Sequence, residues 1–235
     1  MNILAMDTSN QILGVAVLRN GEIVGSSITN INRNHSVRLM PAVEHLLKEV
    51  GMAPEELDKI VVASGPGSYT GVRIGVTTAK TLAWSLGIPI STVSSLEGLA
   101  WQGRFSGHNI CSFFDARRGL AYAGIYQSKD GLLVSTRPEE NILMDDLLQI
   151  LKEAGEKVIM ISPDMAIHRS RIEDIMGDLA IIPDGAKQFS NPVDLAYCGM
   201  MREPEDVHQV TPNYLRLAEA EAKWIKMNKD LQNHE

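Results

Sequence analysis

Cysteine is scarce in this sequence, which has two among 235 residues. Cys111 and Cys198 are far apart, and neither belongs to a C-x-x-C motif. A disulfide framework or a cysteine-based zinc site needs more thiols at closer spacing, so both kinds of protein are excluded. Each cysteine lies among apolar residues, which predicts two buried and unreactive thiols.

Long apolar runs are also missing, and the longest are far too short to span a bilayer. The N-terminus has no basic segment, and Asp7 interrupts its apolar stretch, a pattern that is not typical of a signal peptide. The sequence therefore predicts a cytoplasmic protein that makes no membrane contact.

Positive charge is in deficit. The chain has 29 acidic and 22 basic residues, a net charge of −7, and its one local basic cluster is Arg117–Arg118. Such a chain is repelled by nucleic-acid phosphates unless a basic patch offsets the repulsion. If the protein works on RNA, we expect another component to bind the polymer.

Metal-binding and nucleophile motifs are absent as well. The six histidines are His35, His45, His108, His168, His208 and His234. No two of them have the three- or four-residue spacing that places metal ligands on one helix face, and there is no HExxH or GxSxG motif. His35 stands just before a predicted helix, where we expect a capping or interface residue. The sequence predicts neither a metal nor a cofactor.

A repeated pattern is present instead. The segments "MDTSNQILGVAVL" and "FDARRGLAYAGIY" each read strand, Asp, turn and strand, followed by a turn that contains glycine and a third strand. Helices and strands alternate after each segment, which indicates an internal duplication. We predict two similar α/β subdomains that each open with a β-meander, residues 1–105 and 106–217, followed by a charged tail, 218–235.

Two such subdomains are typical of the actin-like class, which includes sugar kinases and the Hsp70 ATPase. In that class the first hairpin of each half turns at an aspartate that faces nucleotide phosphates. The candidates for such nucleotide turns are Asp7, Thr8, Ser9 and Asp115. The alternative is that aspartate is simply a good turn residue, with no phosphate to contact.

The segment "GPGSYTGVRIG", residues 65–75, lies between a predicted strand and a predicted helix, where a phosphate loop would stand. The Walker motif requires Gly-Lys-Ser/Thr at its end, but Gly71 is followed by Val72 and Arg73. The Rossmann fingerprint is GxGxxG, whereas this spacing is GxGxxxG. Both standard phosphate loops are therefore excluded by spacing.

Small residues continue beyond that loop at intervals of four: Gly71, Gly75, Ala79 and Ala83. On a helix they form one stripe, and glycine inside a helix costs about 1 kcal/mol relative to alanine. Close approach of another backbone commonly compensates for that cost. The stripe can pack on the chain's own sheet or on a helix of a partner, and the pattern allows both interpretations.

Several segments together resemble the bacterial TsaB (YeaZ) family. They are "MDTS" (6–9), "HSVRLMP" (35–41), "GPGSYTGVRIG" (65–75), "VSSLEGLA" (93–100), "FDARRG" (114–119) and "PNYLR" (212–216). The glycine-rich block is the most specific of them. The resemblance covers the chain from its N-terminus to about Arg216.

The resemblance implies an actin-like fold and a role in forming threonylcarbamoyladenosine beside the tRNA anticodon. In that family the chain is a non-catalytic partner of the transferase TsaD, which the ATPase TsaE joins, and tRNA is reached only through the complex. TsaD carries a His-x-x-x-His metal pair in a segment similar to "VSSLEGLA", where this chain has Ser95 and Leu99. The resemblance therefore implies a chain that lacks the metal site.

The resemblance also implies that the helices predicted at 36–50 and 71–86 form a dimer contact, used by a homodimer and by TsaD in competition. The residues predicted to bind a partner are His35, Leu39, Gly71, Arg73, Gly75, Ala79 and Ala83. Two alternatives remain at this point. One is a nucleotide-dependent small-molecule kinase of the same fold, and the other is a metallopeptidase-like protein.

Overall fold

The computed structural model describes residues 1–31 and 34–215. The predicted charged tail, 218–235, lies outside the described residues. Within the described ranges, no helix is both long enough and apolar enough to cross a membrane.

The first half of the chain forms a five-stranded sheet with helices. Its elements are β1 (Ile3–Asp7), β2 (Leu13–Arg19), β3 (Glu22–Thr29), α1 (His35–Glu49), β4 (Lys59–Ala63), α2 (Tyr69–Leu86), β5 (Ile90–Val93) and α3 (Ser95–Ala100). The strand order is β3-β2-β1-β4-β5. The first three strands are antiparallel, and β1, β4 and β5 run parallel. The predicted meander is confirmed.

The second half repeats this arrangement. Its elements are β6 (Asn109–Asp115), β7 (Leu120–Lys129), β8 (Leu132–Leu143), α4 (Met144–Ala154), β9 (Val158–Ile161), α5 (Met165–Met176), β10 (Ala180–Ile181) and α6 (Pro192–Met200). The order β10-β9-β6-β7-β8 is the first sheet's order read from the other end, with the same parallel and antiparallel neighbours. The predicted duplication is therefore present in the topology.

The second hairpin of each meander turns at residues whose types favour a tight turn. Asn20 and Gly21 have φ values of 54° and 81°, and Asp130 and Gly131 have 54° and 80°. Two successive positive φ values are what a type I′ turn requires. The residues of strand β8 after Thr136 are mostly polar, yet the strand continues at the edge of its sheet to Leu143. An edge strand tolerates Pro138, which has no amide proton to donate.

Alternate residues along the strands of the first sheet lie on its two opposite faces, and different helices cover the two faces. One face, including Leu4 and Met6, packs against α1 and α2. The other face, including Ile3 and Ala5, packs against α6. Helix α6 thus completes the core of the first sheet although it follows the second sheet in the chain. The division at residues 105 and 106 stays a prediction.

Helix α3 makes the reverse contact, because it follows the first sheet in the chain but packs against the second sheet. Its Leu96 and Leu99 are buried with Ile110, Phe114 and Tyr126 of the second sheet. Each half therefore contributes one helix to the other half's core. The two sheets are held together by this exchange as well as by the chain connections.

The approach of α6 to the first sheet is very close at Gly199. A Cβ atom at this position would overlap Cγ1 of Val61 and lie 2.6 Å from its Cγ2. Both of these atoms belong to a side chain on a central strand, which has little room to move. The helix therefore depends on glycine at this point.

We expect Gly199→Ala to lower the free energy of unfolding by about 1–3 kcal/mol, because the added methyl group overpacks the contact with Val61. Urea unfolding followed by circular dichroism measures this change. Gly185→Ala is the matched control, because a Cβ there meets nothing within 4 Å. Equal stability of the two variants would show that α6 shifts without cost.

Candidate functional site

A cavity of about 850 Å³ lies between the two halves. Its walls come from the turn after β1, the first turns of α1 and α2, and the turn after β6. The lining residues that carry polar or charged groups into it include Ser9, Asn10, His35, Ser68, Asp115, Arg117 and Asp164. Of the predicted turn residues, Ser9 and Asp115 line this cleft, whereas Asp7 and Thr8 do not.

The carboxylate of the first turn is buried and does not line the cleft. Asp7 is 2% exposed, and its Oδ1 accepts hydrogen bonds from the backbone N–H of Ser9 at 2.8 Å and from Ser9 Oγ at 2.7 Å. Burial raises the pKa of Asp7, and the Ser9 hydrogen bonds and the nearby His35 oppose that rise. Asp7 therefore shapes its own turn, and Ser9, Asn10 and Gln11 line the cleft in front of it.

The glycine-rich loop closes directly onto this turn. The backbone N–H of Ser68 donates to the Ser9 carbonyl at 2.7 Å, and Thr8 Oγ1 donates to the Gly71 carbonyl at 2.8 Å. A Cβ at Gly67 would overlap the Ser9 carbonyl oxygen, and one at Gly71 would overlap that of Thr8. The glycines therefore allow two backbones to meet at this point.

The small-residue stripe of α2 belongs to the same contact. Gly71, Gly75, Ala79 and Ala83 are all buried in the chain's own first half, and a Cβ at Gly75 would lie 2.7 Å from Thr8 Oγ1. Leu39 is 1% exposed and packs in the same core. The burial of these five residues in the chain's own core leaves their predicted contact with a partner without support, and that contact stays a prediction. The structure supports the other interpretation, packing on the chain's own sheet.

The second turn is more open than the first. Asp115 Oδ1 pairs with His168 Nε2 at 3.0 Å, and the Asp115 N–H donates to Asp164 Oδ2 at 2.9 Å. Burial raises the pKa of Asp164, and the hydrogen bond from the Asp115 N–H opposes that rise. The charge of the Asp115 carboxylate adds to the rise, and His168 opposes it. The His168 ring stands edge-on to Phe113, with centroids 5.7 Å apart. Local sequence gave no sign of this His168 partner, because it comes from α5.

His35 lines the cleft, whereas Arg73 does not. His35 Nε2 is 3.0 Å from the Asn10 carbonyl oxygen, which ties the start of α1 to the first turn. Arg73 is exposed, its Cζ lies 4.4 Å from the Tyr69 ring centroid, and its Nε donates to Tyr214 Oη at 2.8 Å. Tyr69 and Tyr214 stack at 5.1 Å. Partner contact by His35 and Arg73 stays a prediction.

Ser95 and Leu99, which the resemblance matches to the metal pair of TsaD, have structural roles in this chain. Ser95 Oγ accepts a hydrogen bond from the Gly65 N–H at 3.1 Å, and Leu99 is fully buried. Across residues 1–31 and 34–215, the structure has no group of three or more His, Cys, Asp or Glu side chains arranged to hold a metal ion.

Two duplicated α/β halves, helices exchanged between them and a polar cleft at their facing turns define a protein of the actin-like fold class. YeaZ from Pseudomonas aeruginosa superimposes with a TM-score of 0.79 at 27% identity, over 91% of this chain and 99% of that chain. A family model described as TsaD, tRNA N6-adenosine threonylcarbamoyltransferase, matches residues 22–224.

Curated relatives give the particular family. The tRNA threonylcarbamoyladenosine biosynthesis protein TsaB of Bacillus subtilis (strain 168) is 53% identical over 229 residues, which are 97% of this chain and 100% of the relative. The protein of the same name from Haemophilus influenzae is 34% identical over 129 residues, 52% of each chain. The chain belongs to the TsaB (YeaZ) family, and the predicted resemblance is confirmed.

The raised pKa of Asp7 gives a prediction about pH. Because the folded state holds this proton more tightly than the unfolded chain, Asp7 stabilises the fold less as pH rises above about 4 and through the raised pKa. Asn keeps an oxygen acceptor for Ser9 without the buried charge. We therefore expect Asp7→Asn to unfold at higher urea than the native chain near neutral pH, with the difference shrinking as pH falls.

Urea titrations at several pH values measure this difference, and Asp178→Asn, at an exposed position, is the control for a generic charge effect. A stability loss in Asp7→Asn that stays constant with pH would contradict a buried anion at this turn.

Proposed function

We propose that the protein acts in tRNA threonylcarbamoyladenosine biosynthesis as a non-catalytic partner subunit of TsaD, in a complex that TsaE joins. Family membership supports the pathway, because the curated relatives are named for it. The net charge of −7 supports a chain that reaches tRNA through the complex. We propose the cytoplasm as its place of action, and a homodimer for the isolated chain.

The partner role is supported by the outward sides of α1 and α2, which expose large apolar side chains. Their inward sides are packed in the core, yet Val37 and Met40 of α1 and Trp84 of α2 are exposed. Val37 is 66% exposed and Trp84 67%. Large exposed apolar side chains are typical of a protein interaction surface. We propose this side as the face that TsaD covers.

The first turn supports a partner role over a catalytic one. Asp7 is engaged by Ser9, and the glycine-rich loop occupies the space in front of the Thr8 and Ser9 carbonyl groups. A nucleotide-dependent kinase of this fold would need a first-turn carboxylate that faces phosphate groups, whereas Asp7 is buried. Leu99 stands where the resemblance gives TsaD a histidine, which disfavours the metallopeptidase-like alternative for this chain.

Val37→Asp tests the proposed face. A charge at this exposed site leaves α1 folded, since an acidic residue in the first turn of a helix is favourable, but it is costly in an apolar interface. We expect co-purification with TsaD to fall ~10-fold or more. Modification of tRNA by TsaD and TsaE, measured by nucleoside mass spectrometry, is expected to fall with it.

Ile167→Asp is the matched control, because Ile167 is 65% exposed and also lies in the first turn of a helix, on the second half. Full TsaD binding by Val37→Asp, or equal loss in both variants, would refute the assigned face. Product formation by this chain without TsaD would refute the non-catalytic role.

A further inference from the structure

The described chain ends at the rim of the cleft. Tyr214 stacks on Tyr69 with ring centroids 5.1 Å apart, and Tyr69 lines the cleft. Leu215 packs against the apolar cluster that contains Phe114, which is another lining residue. The last two described residues therefore contact both halves beside the cleft, and residues 216–235 are attached at its rim.

The part of the chain attached there combines lysines with large apolar residues. Residues 222–229 read AKWIKMNK and contain no acidic residue. We call them the Trp224 segment. Its cationic and large apolar residues follow one another closely: Lys223, Trp224, Ile225, Lys226, Met227 and Lys229. In a chain with a net charge of −7, such a segment is attracted to acidic surfaces of its own molecule.

The walls of the cleft are complementary to both kinds of residue. Asp115 and Asp164 are half-buried and bring carboxylates into the cleft. Arg117 also lines it, but this residue is exposed, so solvent screens its charge. Aromatic side chains complete the walls: Tyr69, Phe114 and Tyr122. Aromatic rings pack against an indole and attract ammonium groups to their faces.

We propose that the Trp224 segment binds in the cleft of its own molecule, with Trp224 against the aromatic side chains and the lysines beside Asp115 and Asp164. The connecting residues 216–221 reach at most ~20 Å at about 3.3 Å per residue, which is enough to enter the cleft from its rim. The cleft volume of about 850 Å³ is within the range typical of ligand pockets, so it accommodates the indole and its neighbours.

The short connection favours the chain's own segment over other occupants. A tethered segment has an effective concentration on the order of millimolar, so a weak contact is sufficient to fill the cleft. A segment from a second copy has no such advantage. Any external ligand of the cleft therefore has to displace the Trp224 segment. This contact is independent of the proposed role with TsaD, and the isolated full-length chain is sufficient to test it.

Cross-linking within one chain tests the contact. Thr70 is exposed in the first turn of α2 and lines the cleft, and Asn228 belongs to the Trp224 segment. We expect the double variant Thr70→Cys/Asn228→Cys to form an internal link rapidly with a short bismaleimide, identified by peptide mass spectrometry. The native Cys111 and Cys198 are buried and do not compete.

Thr81→Cys/Asn228→Cys is the matched control. Thr81 is an exposed threonine of the same helix, ~16 Å from Thr70 along the axis, and it does not line the cleft. We expect this variant to link at least ~10-fold more slowly, because docking raises the local concentration of residue 228 at the cleft alone. Equal rates in the two variants would overturn the proposal. So would equally rapid linking between separate Thr70→Cys and Asn228→Cys copies, because the segment would then occupy a second molecule.

Trp224→Ala and Gln232→Ala, each added to the Thr70→Cys/Asn228→Cys protein, distinguish a specific contact from chance collisions. We expect Trp224→Ala to slow linking ~10-fold, since it removes the anchoring aromatic side chain, and Gln232→Ala to leave the rate unchanged. Circular dichroism checks that each variant is folded. An unchanged rate in Trp224→Ala, or equal slowing by both substitutions, would refute the anchoring contact.

Salt dependence tests the role of the lysines. The Debye length falls from about 10 Å at 0.1 M salt to about 3 Å at 1 M, so linking in the double variant is expected to slow as salt is added. Combined Lys223→Gln, Lys226→Gln and Lys229→Gln substitutions are expected to slow linking at 0.1 M and to remove most of its salt dependence. A salt dependence that persists in this protein would overturn the assigned contacts with Asp115 and Asp164.

Discussion

The contact between the first turn and the start of α2 is the constraint on which the first half depends. Two backbones meet there, with the Ser68 N–H on the Ser9 carbonyl and the Thr8 hydroxyl on the Gly71 carbonyl. No side chain larger than hydrogen fits at Gly67 or Gly71. The contact fixes where α2 starts, and therefore which of its sides enters the core and which faces outward. The two turns differ in exposure, since the carboxylate at the end of β1 is buried and the one at the end of β6 lines the cleft.

Much of the fold could be predicted because local patterns of the sequence indicate it. Alternating and continuous apolar runs marked the strands, Asn20–Gly21 and Asp130–Gly131 marked two hairpins, and the repeated strand–Asp–turn pattern marked the duplication. The second part of strand β8 could not be predicted in this way, because an edge strand needs no apolar alternation and the segment after Thr136 is mostly polar.

The site was harder to predict because its contacts join distant parts of the chain. Small residues at every fourth position show that another group approaches α2 closely. The pattern is equally compatible with Thr8 of the same chain and with a helix of a partner protein. Tyr214 reaches Tyr69 and Arg73 from the end of the described chain, and His168 reaches Asp115 from another helix. Such pairs have no signature in a single sequence, since each residue alone is ordinary in its own segment.

The exchange of α3 and α6 has a consequence for how the protein is made. Synthesis proceeds from the N-terminus, so the first sheet leaves the ribosome long before the helix that covers its second face. Until residues 192–200 emerge, Ile3, Ala5 and Val61 lack their apolar partners Leu195, Ala196 and Cys198. The first half therefore completes its core only after the second half has been translated. During that interval its uncovered sheet is a target for chaperones and for premature association between nascent chains.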